Sequence, residues 1–202
     1  MSVSVESIPV APRPSHARAP GAPDSTDASW ASEGVLAIAG AFPLHHGGEL
    51  RDVRIAWRLA GAPDGPVICA LGGISASREV CLTGQSREGW WSEVVGQGCA
   101  LNTDEYRILS FDYLGSGDST GPHGTAAGEG SSAAAPAPAR PTPSDGFPCI
   151  SSYDQAEALA RLLDHLGLGS LAAIAGGSYG GMVGLAFGER HPERVSRLIA
   201  IG

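Results

Sequence analysis

Residues 171–190 read LAAIAGGSYGGMVGLAFGER, and the junction GGSYGG at 176–181 decides the fold. It matches G-x-S-x-G between a compact apolar run and a helical pattern that begins at Tyr179. That is the setting of a nucleophile elbow, a strand-to-helix turn that lifts a serine hydroxyl clear of a sheet. Such a turn drives the serine backbone toward strained torsions. Glycine at Gly176 and Gly180 lets strand and helix approach without a Cβ between them. Ser178 is therefore the expected nucleophile, and the helix N-terminus beneath it favours developing negative charge. In a chain with 29 Gly a glycine-rich turn containing serine also arises by composition alone; the strand before and the helix after favour the elbow.

Working outward, the runs 66–71 (PVICAL), 107–111 (RILSF), 171–175 (LAAIA) and 197–201 (RLIAI) are short, apolar and bounded by polar or glycine residues. They suit strands buried on both faces of a parallel sheet. Residues 153–166 place Ala156, Leu159, Ala160, Leu163 and Leu166 at helical spacing, with Ser152 and Gln155 as a capping box and Gly167 as the stop. A second helix runs from Tyr179 to Arg190, ended by Pro192. Strand, helix, strand, helix, strand in that order predicts an α/β sheet with right-handed crossovers. Upstream, residues 42–44 and 53–58 flank the turn HHGGEL as in a hairpin.

Two segments fall outside this pattern. Residues 1–33 are rich in Pro, Ala and Ser without a period and read as a flexible lead-in to a domain spanning 34–202. Residues 121–146 contain no aromatic and no Val, Ile, Leu or Met, so they cannot bury enough apolar area to offset their ordering entropy. They read as a low-complexity surface insertion.

The 202 residues carry 13 Arg, no Lys and 21 Asp+Glu, a net charge of −8, which argues against nucleic acid or an anionic membrane as partner. No basic leader precedes a long apolar run, and Cys69, Cys81, Cys99 and Cys149 never form a CxxC pair. The expectation is a soluble cytoplasmic chain with reduced thiols and no metal site.

Acyl transfer needs donors for an oxyanion as well as a nucleophile. One is the N–H after the nucleophile, here Tyr179; the other comes from the loop after an earlier strand. Leu71-Gly72-Gly73 follows PVICAL, so Leu71 or Gly72 is the expected second donor. The loop DYLGSGDST at 112–120 fails the dinucleotide fingerprint, because Thr120 stands where its third glycine would be. Asp112 there reads as a turn-former, not a catalytic acid.

A serine hydroxyl is a poor nucleophile until a histidine takes its proton and a carboxylate orients that histidine. In chains with this elbow the order is Ser, then Asp or Glu, then His. After Ser178 only Glu189, His191 and Glu193 are available, and His191 lies three to four helical turns away. His45, His46, His123 and His165 all precede the serine. The catalytic Asp and His are thus expected to be absent from these 202 residues, as in the N-terminal part of an enzyme.

Taken together, FPLHHGGELRDVRIAWRLAG, CALGGISA, GWWSEVVGQGCALNTDEYRILSFDYLGSGDSTGP, FPCISSYDQAEALARLLDHLGL and GGSYGGMVGLAFGERHPERVSRLIAIG resemble, in order, the homoserine O-acyltransferase family of α/β-hydrolase-fold enzymes. The likeness runs from about Ala41 to the end. It implies an α/β-hydrolase-like, mostly parallel sheet flanked by helices and interrupted after the strand following the elbow. It also implies a two-step transfer in which Ser178 takes an acetyl or succinyl group from acyl-CoA, as co-substrate, and passes it to the hydroxyl of homoserine on the route to methionine. Leu71 and Tyr179 match the family's oxyanion positions. No other cofactor is implied, and a full-length chain would form homodimers through a helical lid. Two further readings stay open: a serine esterase on the same fold, and a non-catalytic remnant.

Overall fold

The computed structural model describes residues 31–81, 89–122 and 146–202. Most of the lead-in and most of the insertion lie outside them. Among the described residues, Ala31–Pro43 (β1) and Glu49–Gly61 (β2) form the hairpin, paired antiparallel from Ala31↔Ala60 to Pro43↔Glu49. The lead-in therefore ends before its expected limit at 33, because Ala31, Ser32 and Glu33 are already strand residues. A bulge between Ile38 and Ala41 interrupts the register. There Gly40 takes positive φ and its N–H bonds Asp52 Oδ1 at 3.0 Å.

The remaining strands are Val67–Leu71 (β3), the short pair Val95–Gly96 (β4) and Leu101–Asn102 (β5), Arg107–Phe111 (β6), Ala173–Gly177 (β7) and Leu198–Ile201 (β8). The helices are Ser152–His165 (α1) and Tyr179–Arg190 (α2). The main sheet has the order β1-β2-β6-β3-β7-β8, and its last four strands are mutually parallel.

Alternation along β3 explains why all five of its residues are buried. Val67, Cys69 and Leu71 join the large core beneath the hairpin, α1 and α2, whereas Ile68 and Ala70 pack with Val80, Cys81 and Val95 on the other face. The segment from β3 to β6 thus covers one face and the helices cover the opposite one. Because the chain leaves β3 toward β6 on one side and leaves β7 toward β8 on the other, the sheet has a switch point between the carboxyl ends of β3 and β7. Open α/β sheets form their crevice at such a point.

Three expectations shift. β7 starts two residues into the apolar run, at Ala173, and continues through Gly176 and Gly177, while Leu171 makes only an isolated bridge to Val195. All four residues of β8 are exposed rather than buried, because it is the last strand of the described sheet and α2 touches it only along Leu198 and Ala200. The capping box of α1 lies one residue earlier, at Ser151 and Asp154: the Ser151 N–H bonds Asp154 Oδ2 at 2.7 Å and Ser151 Oγ accepts from Asp154 N. Gly167, at φ 67°, ends α1 as expected. No described helix is long and apolar enough to cross a membrane.

Candidate active site

Ser178 stands between β7 and α2 at φ 52°, ψ −119°, a conformation that L-residues avoid. Its N–H donates to Ile201 O at 2.7 Å and its carbonyl accepts from Gly181 N at 2.9 Å, so both sides of the strained residue are pinned. Neighbouring glycines make the turn sterically feasible. A Cβ on Gly176 would overlap the carbonyl of Gly180, and one on Gly180 would overlap the carbonyl of Leu71. The second contact also shows that the end of β3 lies directly against the start of α2. Ser178 itself is exposed and its side chain does not cap the helix. The hydroxyl therefore stands outside the sheet, above the positive end of α2.

Tyr179 opens α2, so its N–H has no carbonyl one turn back to bond and is free to face an anion. Leu71 ends β3 in register with Gly176, and Gly72 is buried beside it under the Trp90 indole. The sequence-predicted group of Leu71, Gly72, Gly176, Ser178, Tyr179 and Gly180 is thus gathered at the switch point by two adjacent strands.

The residues around the elbow are largely apolar, with the buried Asp154 carboxylate near enough to act on the Tyr179 phenol. Cys69, two residues before Leu71, is fully buried, and burial pushes its thiol far above the ordinary value, so it stays protonated. Burial raises the Tyr179 phenol as well, against a hydrogen bond from Gln155 that lowers it. Tyr113 is 2% exposed and its phenol is likewise raised by burial. Its hydroxyl donates to Gly72 O at 2.9 Å, and its ring meets that of Tyr179 edge-on at 5.2 Å.

Asp112 has no opening for catalysis. Its carboxylate accepts from Arg78 N at 2.7 Å, from the Arg78 guanidinium and from Asp118 N at 3.0 Å. Partial burial lowers the Arg78 pKa, but Asp112 and Asp118 together outweigh it and leave the guanidinium more firmly charged than usual. Ser119 Oγ bridges Asp112 O and Ala56 N, and Thr120 pairs with Arg54, which staples the whole loop to β2. The turn-former expectation understates a residue that ties three segments together.

Gln155 is the residue that sequence reasoning misassigned. Rather than capping α1, it is buried and holds the loop after β6 by both amide atoms: Oε1 accepts from Leu114 N at 2.9 Å and Nε2 donates to Leu114 O at 3.0 Å. A signal was present, since Gln155 falls four residues before Leu159 on the apolar stripe of α1. A polar side chain on such a stripe needs a buried partner.

No hydrogen bond joins Ser178 to a histidine among the described residues. His191 caps the far end of α2, about 18 Å from its start by helical rise. His45 bonds the side chain of Arg190 at that end and stacks on Tyr153 at 4.3 Å. His165 closes α1, and His123 lies outside the described residues. Nor do the described residues form a cluster of three or more His, Cys, Asp or Glu that could hold a metal.

Comparison with known proteins bears on the fold and the family. Residues 66–202 match the model of the alpha/beta hydrolase fold. A homoserine O-succinyltransferase of Xanthomonas campestris pv. campestris is 37% identical over 177 residues, which are 87% of this chain and 40% of the relative. A homoserine O-acetyltransferase of Clavibacter michiganensis subsp. michiganensis is 35% identical over 81% of this chain and 41% of its own. The chain therefore spans about two fifths of the length of these curated relatives. Among solved structures, homoserine O-acetyltransferase from Bacillus anthracis superposes with a TM-score of 0.66 at 21% identity, covering 84% of this chain and 46% of that one. Esterase E22 superposes with 0.64 at 23%, covering 85% and 47%. At these identities the superpositions speak to the fold alone. The elbow at Ser178, the sheet order and the match over residues 66–202 together place the chain in the α/β-hydrolase fold family, where it is similar to homoserine O-acyltransferases.

Proposed function

We propose that this chain carries the nucleophile and oxyanion half of an acyl-CoA-dependent homoserine O-acyltransferase. The observation that carries the reading is Ser178, held strained, exposed and uncapped against the end of β3, in a chain 34–37% identical to the first five curated homoserine O-acyltransferases.

In this reading Ser178 Oγ attacks the thioester carbonyl of acetyl- or succinyl-CoA. Negative charge develops on the thioester's carbonyl oxygen, between the N–H of Tyr179 and that of Leu71 or Gly72, while the serine proton passes to the general base and from it to the departing thiolate. Collapse breaks the C–S bond and releases the CoA thiol, leaving an acyl-serine. The side-chain hydroxyl of homoserine then attacks the acyl-serine, the acyl oxygen bond to Ser178 breaks, and the ester leaves. The thioester supplies the activated acyl group, so no prosthetic group or metal is called for. The general base and its carboxylate come from polypeptide beyond the residues described, in keeping with the share of the relatives that the chain spans. The product suits methionine biosynthesis.

The test is homoserine-dependent CoA release by the complete polypeptide, with succinyl-CoA and acetyl-CoA compared. Ser178→Ala should lower kcat roughly 10⁴-fold or more. Full turnover by that variant would contradict the reading. Rapid hydrolysis of p-nitrophenyl acetate without homoserine-dependent CoA release would assign the site to an esterase.

A further inference from the structure

The proposed oxyanion donors lie on two different elements, the end of β3 and the start of α2, so something must fix their spacing. Backbone contact at Gly180 sets how closely the elements approach, and after Leu71 the loop's own backbone bond is a single turn, Ala76 N–H to Gly73 O at 2.9 Å. Gly73 has no atom within 4 Å of a Cβ position, and Ile74 after it is 64% exposed. A glycine-glycine pair leading into an exposed loop is a poor means of holding an N–H on target.

Tyr113 supplies the missing constraint. Its hydroxyl donates to Gly72 O at 2.9 Å within a buried setting, which fixes the peptide plane that follows Gly72. Its ring packs edge-to-face on Tyr179, the residue carrying the other donor, at 5.2 Å and 88°. The same ring is buttressed edge-on by Phe111 at 5.6 Å. Its backbone is locked too: Ser116 N donates to Tyr113 O at 3.0 Å, and the next residue, Leu114, is held at both polar atoms by Gln155. Tyr113 is therefore a rigid bracket between the two sides, rooted in α1 through Gln155.

We infer that Tyr113 is a positioning residue of the oxyanion site, setting the separation of the Leu71–Gly72 and Tyr179 donors through its hydroxyl and its ring. The inference rests on the acyl-transfer reading for its catalytic consequence but not for its structural one. Tyr113 touches no reacting atom. Its removal should weaken stabilisation of the charge that develops in the transition state while leaving substrate binding intact.

The experiment uses Tyr113→Phe, which keeps the edge-to-face packing and removes only the hydroxyl, beside Leu171→Val as a control that perturbs the core at the opposite, amino end of β7. Amide hydrogen exchange on the chain should show Ala76, whose N–H bonds Gly73 O at 2.9 Å, exchanging roughly tenfold faster in Tyr113→Phe, with amides elsewhere within about twofold. In the complete polypeptide, kcat should fall roughly tenfold with KM within about twofold. Leu171→Val should change neither the local exchange pattern nor kcat. Unchanged exchange at Ala76 overturns the inference. Full kcat in Tyr113→Phe, with an active wild type, overturns it as well. A wild type unable to transfer acyl groups overturns the proposed function instead, and the exchange result then decides the inference by itself.

Discussion

Two turns at the carboxyl edge of the parallel sheet have similar glycine-rich sequences, GGSYGG from the end of β7 into α2 and DYLGSGDSTG after β6, yet their polar groups are treated oppositely. In the second, Asp112 is 1% exposed and bonded by Arg78 and Asp118, while Ser119 and Thr120 are bound into β2. In the first, Ser178 is exposed, strained and without a side-chain cap. A structural loop saturates its polar groups, because an unpaired buried one costs stability. A reactive loop keeps one hydroxyl uncommitted and accepts backbone strain to present it.

Glycine serves different ends in the two loops, and that is where the comparison can be broken most sharply. Gly180→Ala pushes a methyl into the carbonyl of Leu71, backbone that cannot move aside. Destabilisation should exceed about 4 kcal/mol, read by urea unfolding, with little folded protein recovered. An increment below about 1 kcal/mol would mean that the contact between β3 and α2 is looser than described.

Asp112→Ala tests the saturated loop. It leaves the Arg78 guanidinium, 21% exposed at its side chain, without its main partner and strips two N–H groups of their acceptor. A loss of about 3 kcal/mol is expected, since removing one member of a largely buried pair strands the other. Turnover per folded molecule should change far less than stability does, because Asp112 takes no part in the chemistry.

Ser178→Gly sharpens the contrast, because here stability and function should move in opposite directions. Glycine adopts φ 52°, ψ −119° without the Cβ conflict. The variant should gain about 1 kcal/mol while losing acyl transfer altogether, as seen by paired melting and CoA-release assays. A destabilised variant would show that the serine is not strained.

Much of this arrangement is legible in the residues. The four parallel strands and both long helices announce themselves by apolar runs and helical spacing, and the elbow by glycines flanking a serine at a strand-to-helix junction. What stays hidden is contact between distant segments. Gln155 bonding Leu114 and Tyr113 bonding Gly72 each join residues 41 positions apart, and no periodicity announces such a pair. β8 looks like a buried strand because Leu198, Ile199 and Ile201 are apolar. Its exposure depends on what lies beside it in the sheet, which local sequence does not encode. The capping box moved by one residue because Ser151 and Ser152 are adjacent and equally able to cap; Asp154, three residues after Ser151, decides between them.

The central claim is that Ser178 accepts an acyl group. The direct measurement is to mix the complete polypeptide with acyl-CoA in the absence of homoserine, quench in acid and map the adduct by peptide mass spectrometry. One acyl group should appear on the peptide containing Ser178, disappear when homoserine is added before the quench, and fail to form in Ser178→Ala. An adduct on any other residue, or homoserine-dependent turnover without an acyl-serine, would contradict the account.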